Sequence, residues 1–97
     1  MFSILIRKRA ENDIQGVINY FEEISPVVGN GFLKELIENF NRIENNPFLF
    51  PIKYGETRVC YLKRFSFGIH YLIQGKLVHI LAVLHTSQSP KIWEERN

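Results

Sequence analysis

The chain has one cysteine in 97 residues, Cys60, so no internal disulfide framework can form and a reducing compartment is expected. Long apolar runs are missing too. The stretch 80–84 is only strand-length and cannot span a bilayer. The apolar residues 2–6 are too few for a secretory leader, and Arg7, Lys8 and Arg9 follow them instead of preceding them. No membrane partner is expected, and the expected location is cytoplasmic. From Thr57 to Lys91 there is no Asp or Glu, although all three histidines and five Lys or Arg fall there. A sheet so short of counter-charge attracts anions or acidic partners. The net charge of +2 is too small to argue for nucleic-acid binding by itself, so only its distribution is informative.

What is present fits one folded domain spanning residues 1–97. With 45% hydrophobic and 23% charged residues, the chain has enough apolar content to build a core without metal or disulfide. Residues 2–7 read as a strand. Ala10, Ile14, Val17, Ile18 and Phe21 then recur at helical spacing, with Glu11, Asn12, Gln15, Asn19 and Glu22 on the other face. Ser25 and Pro26 have the form of an N-cap followed by proline at the first helical position. Phe32, Leu33, Leu36, Ile37, Phe40 and Ile43 form a second stripe, which Asn46 and Pro47 end. So short a connection implies antiparallel helices.

Three strands are expected over 57–64, 66–73 and 76–85, with Gln74 and Gly75 as a hairpin turn. That register sets Phe67, Ile69 and Tyr71 opposite Ala82, Ile80 and Val78 on a core face. The other face pairs Gly68 with Leu81, His70 with His79 and Leu72 with Leu77, and strand parity adds His85 to it. This second face is expected to be mixed, histidine-bearing and open to a partner. A short helix from Pro90 completes an α+β domain of order β-α-α-β-β-β, its helical hairpin on one side of a largely antiparallel sheet.

In this order the chain resembles the RelE/ParE family, the toxins of bacterial type II toxin–antitoxin modules. The residues that carry the resemblance are 9–14, Tyr20, Asn46 and Pro47, Arg58, the phrase 65–71, and 80–85 followed by Pro90 and Trp93. The likeness is stronger to the ParE-like branch. It implies the family's compact fold and a cognate antitoxin that wraps and neutralises the toxin. It also implies growth inhibition and a role in plasmid stabilisation.

RelE-like relatives cut messenger RNA on the ribosome, which needs a base, cations for the phosphorane and an acid for the leaving oxygen. Where that branch carries arginines, this chain has Gly68 and Thr86, and the cationic turn usual in the ParE-like branch is replaced by Ser87, Gln88 and Ser89. The resemblance leaves Glu56, Arg58 and His85 as a faint catalytic set. The leading expectation is therefore a ParE-like toxin that poisons DNA gyrase by binding and does no covalent chemistry itself. A ribosome-dependent endoribonuclease is the alternative, and an inactive antitoxin-binding module is the second alternative. Arg58, Lys63, Arg64, His79 and His85 are the expected antitoxin- or target-binding residues.

Plainer roles stand beside these. His70 and His79 lack the Cys or acid that would complete a metal shell, so no metal or other cofactor is expected. His85 reads as an imidazole bonding the C-terminal turn, and Cys60 as a small buried hydrophobe. Phe48, Leu49 and Phe50 suit a partner-facing patch or packing under the sheet equally well.

Overall fold

Ser25 alone separates two long helices, and this sharp junction organises the front half of the molecule. A computed structural model describes residues 1–87. Strand β1 (Ser3–Ile6) leads through Arg7 into α1 (Lys8–Ile24), and α2 (Pro26–Asn45) follows. Ser25 is extended, and its Oγ accepts the Val27 N–H at 3.2 Å, the N-cap that the Ser-Pro pair implies. Phe21 touches Phe32 at 5.6 Å and Glu22 abuts Gly29, so α2 folds back on α1 as a hairpin. A Cβ on Gly29 would lie 2.7 Å from Glu22 Cγ, which is why the helices need glycine there.

The remaining elements are β2 (Ile52–Tyr54), β3 (Thr57–Tyr61), β4 (Phe67–Gln74) and β5 (Leu77–His85). They join β1 in one five-stranded sheet of order β1-β5-β4-β3-β2, antiparallel except for the parallel β1–β5 pair. The α+β class and the order of helices and long strands agree with expectation. Strand β2 is an addition: three residues beside Pro51, returning through Gly55 at φ 52°, are too few to show a period. The expected helix from Pro90 lies outside the described residues.

The β4–β5 register differs from the one read off the sequence. Gln74 pairs with Leu77, so the turn is Gly75-Lys76, with Gly75 at φ 61°. From Ile73 back to Tyr71 each partner lies two residues later in β5 than expected, so Tyr71 pairs with Ile80 instead of Val78. His70 pairs with Ala82, so Leu81 is an extra residue in β5 and the offset beyond it is three. This β-bulge reverses the parity of everything after it. Val83 joins the core, Ala82 and Leu84 move to the opposite face beside Tyr54, and His85 moves to the helix side against Phe67. His70 and His79 are not partners, because His79 pairs with Leu72.

The bulge falls where β1 ends, its last bond running from Arg7 N–H to Ile80 O at 3.0 Å. Beyond it no strand among the described residues flanks β5 on that side, and the Asp13 carboxylate of α1 accepts the Val83 N–H at 3.1 Å instead.

One core fills the space between helices and sheet, built from Ala10, Phe32, Leu36 and Ile43 against Cys60, Ile69, Tyr71, Val78, Ile80 and Val83. Phe21, Phe32, Phe65 and Phe67 cluster at one end, all edge-to-face except the tilted Phe21–Phe32 pair, with centroids 5.2 to 6.1 Å apart. The face expected to be open is largely buried: His70, His79, Ala82 and Leu84 all lie inside. Tyr54 Oη is 2.9 Å from His70 Nδ1.

Candidate interaction surfaces

Strand β3 ends at Tyr61 rather than at residue 64 because a helix side chain takes over its next backbone donors. Glu35 of α2 is 5% exposed, and its carboxylate accepts the N–H groups of Lys63 and Arg64. The chain therefore bends through 62–66 instead of extending, and Leu62 N–H closes on Phe67 O at 2.9 Å. The Arg64 guanidinium also lies 3.5 Å from Glu35, but its side chain is 66% exposed, so this ion pair adds little. The result is a hollow of about 400 Å³ lined by Glu35, Glu38, Asn39, Arg42, Lys63 and Arg64. Three cations face two carboxylates there, and one of those carboxylates is already committed to the backbone.

Beneath this hollow lies a buried polar contact. Asn39 Oδ1 accepts from Cys60 Sγ at 3.3 Å and from Arg42 at 3.2 Å, while its amide donates to Glu35 O at 2.8 Å. Burial pushes the Cys60 thiol up to about 11. It is a protonated, buried donor, not a nucleophile. Glu35 and Asn39 were legible in principle: they fall at helical spacing on the stripe set by Phe32, Leu36 and Ile43.

Arg58 stands at the other end of β3, paired with Tyr71. Its guanidinium donates to Phe50 O at 2.7 Å and Phe48 O at 3.5 Å, and lies 5.3 Å from the centre of the Phe48 ring. Tyr71 donates to Pro47 O at 2.6 Å, and Arg42 sits 5.1 Å from the Phe50 ring centre. Residues 47–50 are thus held to the sheet by side chains, yet Phe48 and Leu49 stay 58% and 53% exposed. Glu56 lines a shallow hollow with Phe48, Ile52 and Arg58.

His85 occupies a third place. Its Nδ1 accepts the Ser87 N–H at 3.0 Å, so the imidazole does bond the turn that follows it. An N–H only donates, so the proton of the neutral ring is on Nε2. One hollow of about 430 Å³ joins His85 to Asn12, Asp13, Gly16 and Tyr20, and another of about 510 Å³ joins it to Tyr20, Phe65 and Arg64. His79 is apart from all of these. A guanidinium also only donates, so Arg7 gives its hydrogen to Nδ1 at 3.2 Å and the ring passes Nε2–H to Gln74 at 3.0 Å.

The structure therefore gathers Lys63 and Arg64 with Arg42, and brings Arg64 to the same hollow as His85. It does not gather Glu56, Arg58 and His85. Tyr71 and Phe67, their β4 reference points, are four residues apart, and β3 and β5 lie on opposite sides of β4. Strand geometry then separates Arg58 from His85 by roughly 16 Å at the backbone. A cation is equally excluded at Gly68, where a Cβ would meet Val59 Cγ1 at 2.8 Å and the Tyr61 ring at 3.3 Å. Among the described residues no group of three His, Cys, Asp or Glu is placed to hold a metal, and no helix is long and apolar enough to cross a membrane.

Comparison with known proteins adds to this geometry. A family model described as the ParE toxin of type II toxin-antitoxin system, parDE, matches residues 4–90. A solved chain from a chromosomal ParDE toxin–antitoxin system of P. aeruginosa has the same fold. It superimposes with a TM-score of 0.78 at 18% identity, covering 88% of this chain and 96% of that one. No curated protein matches the sequence.

Proposed function

The chain belongs to the ParE toxin family of type II toxin–antitoxin systems, and from that premise we propose that it arrests growth by binding DNA gyrase and prolonging its cleaved-DNA state. The observation that carries this reading is the dispersal of Glu56, Arg58 and His85, the set expected to serve phosphodiester cleavage. A general acid or base must come within about 3 Å of the proton it moves, directly or through one water. Arg58 is committed to two loop carbonyls, and His85 lies at the far end of the sheet. Such a surface recognises a partner and leaves the covalent chemistry to it.

In the same reading a cognate antitoxin neutralises the protein. Its acidic segment sets carboxylates against Arg42, Lys63 and Arg64, the cations that converge on one hollow. Arg58 lies outside that hollow, at the other end of β3.

Purified protein in a supercoiling and cleavage-complex assay tests the proposal, with trapped, cleaved DNA as the expected product. One observation favours a second reading, the ribosome-dependent nuclease: Tyr20, Arg64 and His85 line one hollow, giving a phenol, a cation and an imidazole. Cutting of ribosome-bound messenger that His85→Ala abolishes, with gyrase untouched, would establish that reading in place of the first.

A further inference from the structure

The loop that Arg58 secures is organised yet leaves its apolar side chains in solvent. Phe48 N–H bonds Asn46 Oδ1 at 3.3 Å and Leu49 N–H bonds Asn46 O at 3.1 Å, in addition to the Arg58 and Tyr71 bonds already described. Ile52, on the edge strand β2, is 52% exposed and lines the same hollow as Phe48 and Arg58. Phe48, Leu49 and Ile52 thus make an apolar projection on a fixed backbone. Ordering has already removed the conformational entropy that usually opposes binding by a loop.

We propose that this projection is the surface by which the toxin docks on its protein target, entering an apolar socket whose rim carries carboxylates; the proposal rests on the target-binding function above. Charge identifies the partner. Arg58 and Lys76 lie against the Phe48 and Phe2 rings, 5.3 and 5.2 Å from their centres, so cations border the apolar side chains. Among the described residues, the one carboxylate lining the Phe48 hollow is Glu56. The same contacts disfavour a nucleic acid as the occupant. Base stacking needs free aromatic faces, whereas Phe48 is flanked by Arg58 and by the Phe2 ring at 5.9 Å, and Leu49 and Ile52 cannot stack. An anchor of this kind carries a large share of an interface's energy.

Two variants test it, Phe48→Ser/Leu49→Ser and Ile52→Glu, each compared with wild type. The readouts are thermal melting, growth arrest on induced expression and calorimetric binding to purified gyrase. Both variants are expected to melt near wild type, to lose about tenfold or more in gyrase affinity, and to relieve the arrest. If the double variant melts early through loss of the Phe2 contact, Ile52→Glu decides, because Ile52 takes no part in that ring pair. Folded variants that arrest growth and bind gyrase like wild type would refute the docking surface while leaving the gyrase reading intact. Wild-type arrest without gyrase binding, relieved by both variants, would reject gyrase and retain the surface for another protein. A wild type that arrests nothing would overturn both, and variants that lose only affinity for free DNA would reassign the projection to nucleic acid.

Discussion

Residues 46–51 and 62–66 are both irregular segments at the margins of the same sheet, and each is fixed by a charged side chain that bonds to backbone. The signs are opposite. At 62–66 a carboxylate, Glu35, reaches from α2 and collects two N–H groups. At 46–51 a guanidinium, Arg58, reaches from β3 and collects two carbonyls. What each segment then presents also differs: the first shows Lys63 and Arg64, the second Phe48 and Leu49. A single fold thereby offers a cationic surface and an apolar one at opposite ends of β3, without a separate module for either.

Removal of Glu35 should have the largest effect on these segments. Glu35→Ala strands two partly buried N–H groups, and the expected cost is about 2–4 kcal/mol by urea unfolding. An unchanged midpoint would mean that 62–66 holds its shape without the carboxylate. Arg58→Ala is expected to cost about 1–3 kcal/mol, since two carbonyls and a ring lose their partner. Amide exchange confined to 46–51 should accelerate in that variant. Arg58→Lys should rescue little, because one ammonium cannot reproduce the planar fork.

Cys60 makes the cationic end of β3 sensitive to pH, since it bonds Asn39 beneath the hollow there. Burial raises its thiol from 9.0 to about 11. The unfolded chain therefore ionises first as pH rises, and the stability held by the neutral thiol is present below 9.0 and lost toward about 11. The stability gap between wild type and Cys60→Ala should narrow by roughly 2 kcal/mol across that window. A gap that stays constant would show that the thiol ionises without penalty. The smallest expected stability effect is at Arg64: Arg64→Glu should shift unfolding by about 0.5 kcal/mol or a little more, because the side chain is mostly solvated. Its co-purification with a cognate antitoxin should nonetheless weaken at moderate salt.

Much of this fold was legible in the residues. Helical spacing located both helices, and Ser25 with Pro26 marked the junction between them. Alternation and turn residues gave the three long strands. The register was not legible, for two physical reasons. Gly75 is the first residue of the hairpin turn, not the second, because its positive φ is needed there. The bulge at Leu81 leaves no compositional mark in an unbroken apolar run, yet it decides which way His85 faces.

The site was legible only residue by residue. Arg58, Lys63 and Arg64 stood out as cations in a region without acids, but their separation into two surfaces depends on Glu35, which is 28 residues from Lys63 in the chain. Sequence showed Phe48 and Leu49 as apolar. Only the bonds from Arg58 and Tyr71 show that they are held outward. Positions 88–97, including Trp93, lie outside the described residues.

In the proposed function this protein acts by recognition and leaves bond breaking to its target. Incubation of purified toxin with gyrase, supercoiled DNA and ATP, followed by denaturation and counting of linearised DNA, tests this. Linear, gyrase-linked DNA is expected to accumulate with toxin dose and to be suppressed by antitoxin. Gyrase turnover indifferent to the toxin, together with toxin-dependent cuts in ribosome-bound messenger RNA, would rule that function out.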